Sequence, residues 1–228
     1  MNIALIVAGG SGKRMGIDTP KQFIKVHDKP LLVYTVEAFN NHEYIDAIII
    51  VCHEDYLNEV EGYIHHYALD KVISVIKGGE TRQQSVFNGL KEIKNKGYLD
   101  EDIILIHDAA RPMVNEDIIT DNIDACYKYD AVVTAIASSD TVMQSKDNEK
   151  LSGFINRNEI YLEQTPASFK LKLIYKAHEK SERKDSTDDC QLVKDLGKDI
   201  YLVNGDKFNF KITTMDDLKI FEALKKEN

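Results

Sequence analysis

The chain has 228 residues, 43% hydrophobic and 29% charged, the balance of a folded globular protein with a sizeable core rather than of a disordered one. A net charge of -9 argues against a nucleic-acid or polyanion-binding surface, so any anion site has to be local. No apolar run approaches the roughly 20 residues that cross a bilayer, and the first apolar run breaks at once into glycines, so no membrane contact and a cytoplasmic location are expected.

In chain order, strand patterns at Asn2–Val7, Ala47–Val51, Val72–Ile76, Ile103–Ile106, Val132–Ile136 and Ile200–Val203 alternate with helical patterns. The helical patterns cover Leu31–Asn40, Asp55–Tyr67, Thr81–Lys94, Asn115–Tyr127, Leu171–Glu182 and Thr214–Lys225. The strand runs are apolar throughout, which implies burial on both faces. The alternation predicts a single α/β domain, 1–228, around a mostly parallel sheet flanked by helices. From Ser138 to about Thr165 the pieces D-T-V-M-Q, K-D-N-E-K and S-G-F-I-N-R-N lack a helical period. A segment of about 25 residues without its own helix is unusual in a compact domain and reads as an extended arm leaving the sheet. Cys52, Cys126 and Cys190 have no disulfide or zinc spacing and read as reduced thiols. His27, His42, His53, His65, His66 and His178 read as solvated, and His107 as a residue that orients its neighbours.

The stretch A-G-G-S-G-K-R-M-G, Ala8 to Gly16, follows the first strand directly and contains four glycines and two cations but no carboxylate. Such a turn lets backbone N–H groups converge on phosphate oxygens, with no Cβ in the way. The Walker pattern fails, because Val7 stands at its first glycine and Arg14 replaces the hydroxyl residue. The dinucleotide pattern G-x-G-x-x-G matches Gly10 and Gly12 and then meets Met15, which leaves it as the weaker alternative. A triphosphate site of another kind rests on Lys13, Arg14 and then Lys21 in T-P-K-Q-F, since Arg14 and Lys21 can neutralise charge that grows as pyrophosphate leaves. A tight strand-to-helix turn with solvated lysines is the bland alternative.

H-D-A-A-R-P, His107 to Pro112, sits at the C-terminal end of a strand, the edge where open α/β sheets bind ligands. Asp108 is therefore a candidate ligand for Mg²⁺, and Arg111 for a second substrate's phosphate. G-G-E-T-R-Q-Q-S-V follows another strand, and its glycine pair, Gly79 included, is free to read a base edge, with Thr81 as a helix cap. Asp140, Thr141, Arg157, Thr165, Thr187 and Lys211 supply hydroxyls, a carboxylate and cations without an aromatic platform, which suits a small hydroxylated phosphate ester.

Taken together, A-G-G-S-G-K-R-M, P-K-Q-F, G-G-E-T-R-Q-Q-S-V-F-N-G-L, H-D-A-A-R-P, Q-T-P-A-S-F, T-D-D and N-F-K-I-T-T resemble one family nearly end to end. It is the 2-C-methyl-D-erythritol 4-phosphate and ribitol-5-phosphate cytidylyltransferase family. The resemblance implies a Rossmann-like nucleotidyltransferase sheet with a protruding dimerisation arm, hence a homodimer. It implies transfer of CMP from CTP to an alditol phosphate with Mg²⁺, the erythritol ester of isoprenoid synthesis first and ribitol 5-phosphate as the alternative. It places the nucleotide at Ala8, Gly9, Gly10, Gly12, Gly79, Arg82, Ser85 and Asp108, and the acceptor at Asp108, Arg111, Thr141, Arg157, Thr165, Thr187 and Lys211. Arg14, Lys21 and Lys211 are the expected catalytic cations, and Asp108 the expected metal ligand. A-G-G in the first loop, Met143, and R-N-E-I-Y at Arg157 to Tyr161 depart from the erythritol pattern, while S-V-F-N-G-L and T-D-D favour it. A nucleotide-binding protein of the same fold that transfers nothing is the alternative of another class; Lys21, Arg111 and Lys211 together favour turnover.

Overall fold

The first apolar run becomes β1 (Asn2–Ala8), and β2 (Lys25–Val26) and β3 (Lys29–Pro30) then make a small hairpin that has no counterpart among the predicted elements. Next come α1 (Leu31–Asn40), β4 (Ala47–Cys52), α2 (Leu57–His66), β5 (Val72–Lys77), α3 (Arg82–Asn95), β6 (Ile103–Asp108), α4 (Glu116–Tyr129) and β7 (Ala131–Ala137). The chain ends with β8 (Val142–Ser145), β9 (Leu151–Ile155), β10 (Tyr161–Lys170), α5 (Leu171–Lys180), α6 (Cys190–Asp195), β11 (Tyr201–Asn204) and α7 (Met215–Lys226). This computed structural model describes residues 1–10, 20–184 and 186–226. Arg14 and Gly12, both expected at the nucleotide, lie outside the described residues.

Seven strands form one sheet in the order β11, β7, β10, β6, β1, β4, β5. All neighbours run parallel except β10, which is antiparallel to both β6 and β7. The central strands are apolar on both faces because both are covered. Ile3 and Leu5 pack with Val86 and Leu90 of α3 and Ile174 of α5, while Ala4 and Ile6 pack with Leu32 and Phe39 of α1 and Ile119 of α4. Gly89 permits the close approach of α3, since a Cβ there would overlap the Leu5 side chain. Helix starts follow local chemistry: Thr81 accepts from Gln84 N at the start of α3, as the sequence predicts, and Asn115 accepts from Ile118 N at α4. Such a cap stabilises a helix by about 1 kcal/mol.

The expected arm is shorter than 138–165. Its C-terminal part is the first half of β10, which pairs Tyr161 with Ala137 and Glu163 with Ala135 before the register shifts and resumes at Ala167 with Val133. Pro166 sits in that irregularity, behind a cis Thr165–Pro166 bond. A proline inside a run argues against a strand, and here the bulge accommodates it. What remains of the arm is the separate β8–β9 hairpin, with Met143, Leu151 and Phe154 exposed.

Two of the six histidines expected to be solvated are buried, His42 and His178. His42 is held at both ring nitrogens, by Thr120 Oγ1 and Tyr44 N, and His178 through Nε2 against Asp189, while its buried Nδ1 has no hydrogen-bond partner among the described residues. All three cysteines are free, as expected, two of them buried.

Candidate active site

Register brings the site together. Val7 pairs with Asp108 and Ala8 with Cys52, so β1, β4 and β6 end at one level of the sheet edge. A cavity of about 340 Å³ opens there, within the range of small-molecule sites. Of the expected residues, Ala8, Gly9, Gly10, Lys21, Gly79, Arg82, Ser85, Asp108 and Lys211 line it. Gln22 and Thr213 line it too and were not singled out by sequence. Gln22 is buried and donates from Nε2 to Ala8 O at 2.5 Å and Gly10 O at 3.0 Å, which ties the start of the glycine loop to the P-K-Q-F turn. Lys21 Nζ donates to Ile212 O at 2.9 Å.

The glycine pair after β5 does not offer free amides. Gly78 N donates to Cys52 O at 2.8 Å and Gly79 N to Ser85 Oγ at 3.0 Å, because the turn must close on the first turn of α3. Ser85 Oγ in turn donates to Thr81 O at 2.9 Å. Glycine is needed here for packing: a Cβ on Gly79 would overlap Gln84, and one on Gly78 would lie 2.9 Å from Ser85 Oγ.

Asp108 is the centre of charge. Lys211 Nζ lies 2.7 Å from Oδ2, Arg82 Nε 3.7 Å from Oδ1 and Arg111 Nε 3.9 Å from Oδ2. Burial alone would raise the Asp108 carboxyl, but Lys211, Arg82 and Arg111 hold it well below the usual carboxylate range. Burial also weakens the charge on Arg82, yet Asp189 and Asp108 hold its guanidinium more firmly protonated than usual. Three cations from three segments thus meet one carboxylate. One is the first residue of α3, one follows β6, and one precedes α7.

The peptide around Asp108 is braced from behind. Asp108 N donates to Thr165 Oγ1 at 3.1 Å, and the same hydroxyl lies 3.1 Å from His107 Nδ1. His107 Nε2 lies 3.2 Å from Arg111 O, so the network closes with the ring proton on Nε2 and the threonine donating to Nδ1. Burial lowers the His107 pKa to about 4, so the ring is neutral at pH 7. His107 therefore orients its neighbours, as the sequence suggests, and the Thr165 hydroxyl is engaged within the protein. Arg111 also donates from Nη1 to Asn209 O at 2.8 Å, which links H-D-A-A-R-P to N-F-K-I-T-T.

Thr141, Asp140, Arg157 and Thr187 are exposed and do not line the cavity. Arg157 Nη1 reaches Ser139 O at 3.4 Å at the base of the hairpin. T-D-D holds more than its threonine. Asp189 is buried, with Arg82 Nη1 2.8 Å from Oδ2 and His178 Nε2 3.0 Å from Oδ1. The repeated carboxylate in that motif was the only sequence signal for it.

Mg²⁺ takes one or two carboxylates and completes its shell with phosphate oxygens and water. Asp108 fits that role only jointly with a phosphate ligand, since it is a single carboxylate already faced by cations. Among the described residues the three-donor grouping lies elsewhere, at Glu163, Asp188 and Cys190. Burial pushes the Cys190 thiol far up, which makes it a poor metal ligand.

A mostly parallel sheet whose strand ends carry a glycine turn and a cation-ringed carboxylate defines an α/β protein of the nucleotide-handling class. The family model for IspD, 2-C-methyl-D-erythritol 4-phosphate cytidylyltransferase, matches residues 2–227, and the chain belongs to that family of nucleotidyltransferases. It is 39% identical over 225 residues to 2-C-methyl-D-erythritol 4-phosphate cytidylyltransferase of Clostridium botulinum (strain Loch Maree / Type A3), with 98% of this chain and 96% of that one covered. It is 37% identical over 228 residues to ribitol-5-phosphate cytidylyltransferase of Streptococcus agalactiae serotype V, with 98% and 95% covered. Among solved structures, 4-diphosphocytidyl-2C-methyl-D-erythritol synthase from Anaerococcus prevotii DSM 20548 superposes with a TM-score of 0.83 at 32% identity, over 99% and 98% of the two chains. The family is one of enzymes, which removes the non-catalytic binder as a reading of the whole chain.

Proposed function

We propose that this cytidylyltransferase uses 2-C-methyl-D-erythritol 4-phosphate as its acceptor, supplying isoprenoid precursor synthesis in the cytoplasm. The observation that carries the reading is the ring of cations around Asp108: Lys211 and Arg82 line the cavity together with Lys21 and the glycine turn, and Arg111 stands behind the lining, 3.9 Å from the same carboxylate. Such a ring suits two phosphate groups brought together. The acceptor's phosphate monoester is already an anion at pH 7 and attacks the α-phosphorus of CTP. One P–O bond forms, the bond to the bridging oxygen breaks, and pyrophosphate leaves with that oxygen's electrons. No protein nucleophile or strong base is required, so catalysis is positioning and charge stabilisation. Lys21 and Arg14 are assigned to the leaving pyrophosphate, Arg82, Ser85, Gly79 and the turn at Ala8, Gly9 and Gly10 to the nucleotide, and Lys211 and Arg111 to the incoming phosphate. Bound Mg²⁺ would offset the mutual repulsion of the phosphates, with Asp108 as its protein ligand. Thr141, Thr187 and Arg157 are assigned to the acceptor, and Thr165 supports it through Asp108.

Ribitol 5-phosphate is the second reading, favoured by relatives of that name that match over the same length. Pyrophosphate release from CTP, measured against both alditol phosphates, separates the two. Higher kcat/KM with the ribitol ester would overturn the first. We assign the β8–β9 hairpin to a homodimer interface, because Met143, Leu151 and Phe154 are 63%, 56% and 67% exposed on a lone chain. Sedimentation of Phe154→Asp tests that assignment, and a variant as dimeric as the parent would overturn it.

A further inference from the structure

Arg82 reaches the cavity from the first residue of α3, and what fixes its direction lies outside the cavity. Its Nη1 is 2.8 Å from Asp189 Oδ2, an ion pair that is close but misaligned for a hydrogen bond, and its Nε is 3.7 Å from Asp108 Oδ1. Asp189 and His178 are 1% exposed at the side chain, and neither lines the cavity. Arg82 and His178 take hold of different oxygens of Asp189, so the carboxylate is clamped from both sides. A long guanidinium side chain loses rotamer freedom when its partner is clamped, and that loss is then taken before any ligand binds.

The clamp belongs to a wider seam between α3 and the segment from α5 to α6. His178 stacks on Phe87 of α3, with ring centroids 5.7 Å apart and planes 15° apart. Gln83, the neighbour of Arg82, donates to Arg183 O at 2.9 Å and accepts from Ser186 N at 2.9 Å. Asp189 itself immediately precedes α6. Thus the same turn of α3 that presents Arg82 is tied twice to the stretch that presents Asp189. Burial works against the Asp189 charge, but Arg82 and His178 hold its carboxyl below the usual range.

We infer that His178 and Asp189 form a positioning pair that sets the Arg82 guanidinium for the nucleotide. His178 acts through Asp189 and touches no substrate. The inference rests on the assignment of Arg82 to CTP made above. Its consequence is a coupling: His178 matters to turnover only while Arg82 is present.

A double-mutant cycle on kcat/KM for CTP reads that coupling, with His178→Phe, Arg82→Ala and the double variant. Phenylalanine keeps the stack on Phe87 and removes the donor to Asp189. The expected result is a loss of about 10-fold in kcat/KM for His178→Phe, mostly through KM for CTP, shrinking to less than about 2-fold in the Arg82→Ala background. His178→Gln, whose amide can donate to Asp189, should recover part of the loss, and it runs the same cycle if His178→Phe fails to fold. Equal losses in both backgrounds, or no loss from either substitution at His178, would overturn the positioning inference alone. An Arg82→Ala enzyme with unchanged kcat/KM for CTP would remove the assignment of Arg82, and the inference with it.

Discussion

Replacing Asp108 by asparagine separates its role as countercharge to Lys211, Arg82 and Arg111 from the metal-ligand role proposed for it. The carboxylate is buried, and Lys211, Arg82 and Arg111 stand 2.7, 3.7 and 3.9 Å from it. Removing one partner of a fully buried pair costs about 3–5 kcal/mol. Lys211 and Arg82 are 35% and 23% exposed at the side chain, so solvent screens part of this and about 2–3 kcal/mol remains. For a domain of this size that lowers Tm by about 5–10 °C. Lys211 and Arg82 then face the cavity without this countercharge, although Arg82 keeps Asp189. In excess chelator the variant should bind pyrophosphate or CTP about 10-fold more tightly than the parent, since one negative charge no longer opposes the ligand. With Mg²⁺ present, kcat should fall by about 100-fold or more and the Mg²⁺ requirement should rise. Thermal unfolding with and without pyrophosphate, calorimetry in chelator, and a pyrophosphate-release assay across Mg²⁺ concentrations measure all three. Weaker pyrophosphate binding by the variant in chelator would refute the reasoning, because it would mean that Asp108 holds the cations in shape rather than opposing the ligand. Full activity of the parent in excess chelator would refute the metal part.

Three more outcomes are expected. His107 has a folded pKa of about 4 against 6.5 in the unfolded chain, so its contribution to stability is complete above pH 6.5 and is lost as pH falls towards 4, by about 3 kcal/mol in all. Equilibrium unfolding of His107→Gln should show a flatter pH profile between those values, and an unchanged slope would count against a buried neutral ring. Lys21→Ala and Arg14→Ala should each lower kcat by about 100-fold or more while CTP affinity changes less, whereas a change in affinity alone would make these cations ground-state anchors. Mixing inactive Arg157→Ala chains with inactive Lys21→Ala chains should restore activity if Arg157 serves the neighbouring subunit; subunit exchange verified by tagged pull-down without recovered activity would place Arg157 within its own chain or outside the reaction.

The parallel core was legible in the sequence because its strands are apolar on both faces: Asn2–Ala8, Ala47–Cys52 and Ile103–Asp108 differ from the expected runs by at most two residues at an end. Tyr161–Lys170 was not legible. Among the described residues it is the one antiparallel strand of the sheet, it carries Pro166, and its first residues are exposed, so neither a continuous apolar run nor a clean alternation marks it. Many of the residues that line the cavity belong to motifs singled out in the sequence, but a motif does not say which way a group points. G-G after β5 promised free amides, and the structure uses both to close the turn. T-D-D drew attention to Thr187, which is exposed, while Asp189 two places on is the buried partner of Arg82. His178 gave no signal because its partner, 11 residues away, is reached only when α5 and α6 pack together.

An acidic protein that handles three phosphates and a fourth has to keep its cations gathered when no phosphate is present. With Asp108 among them, Lys211, Arg82 and Arg111 have a countercharge in the empty site, and Asp189 supplies a second one to Arg82. Neither carboxylate is free to follow the cations into solvent, since Asp108 N is held by Thr165 and Asp189 by His178. Binding is then an exchange of anions about fixed cations, with little rearrangement left for the reaction itself, which is the condition under which charge stabilisation is most effective. The same logic predicts why the second carboxylate is placed outside the cavity. At Asp108 the negative charge faces the cavity and, in the proposed reaction, would be shared with metal and substrate, whereas Asp189 lies outside the cavity lining, its carboxylate paired with Arg82 and His178, and so holds the guanidinium in both states.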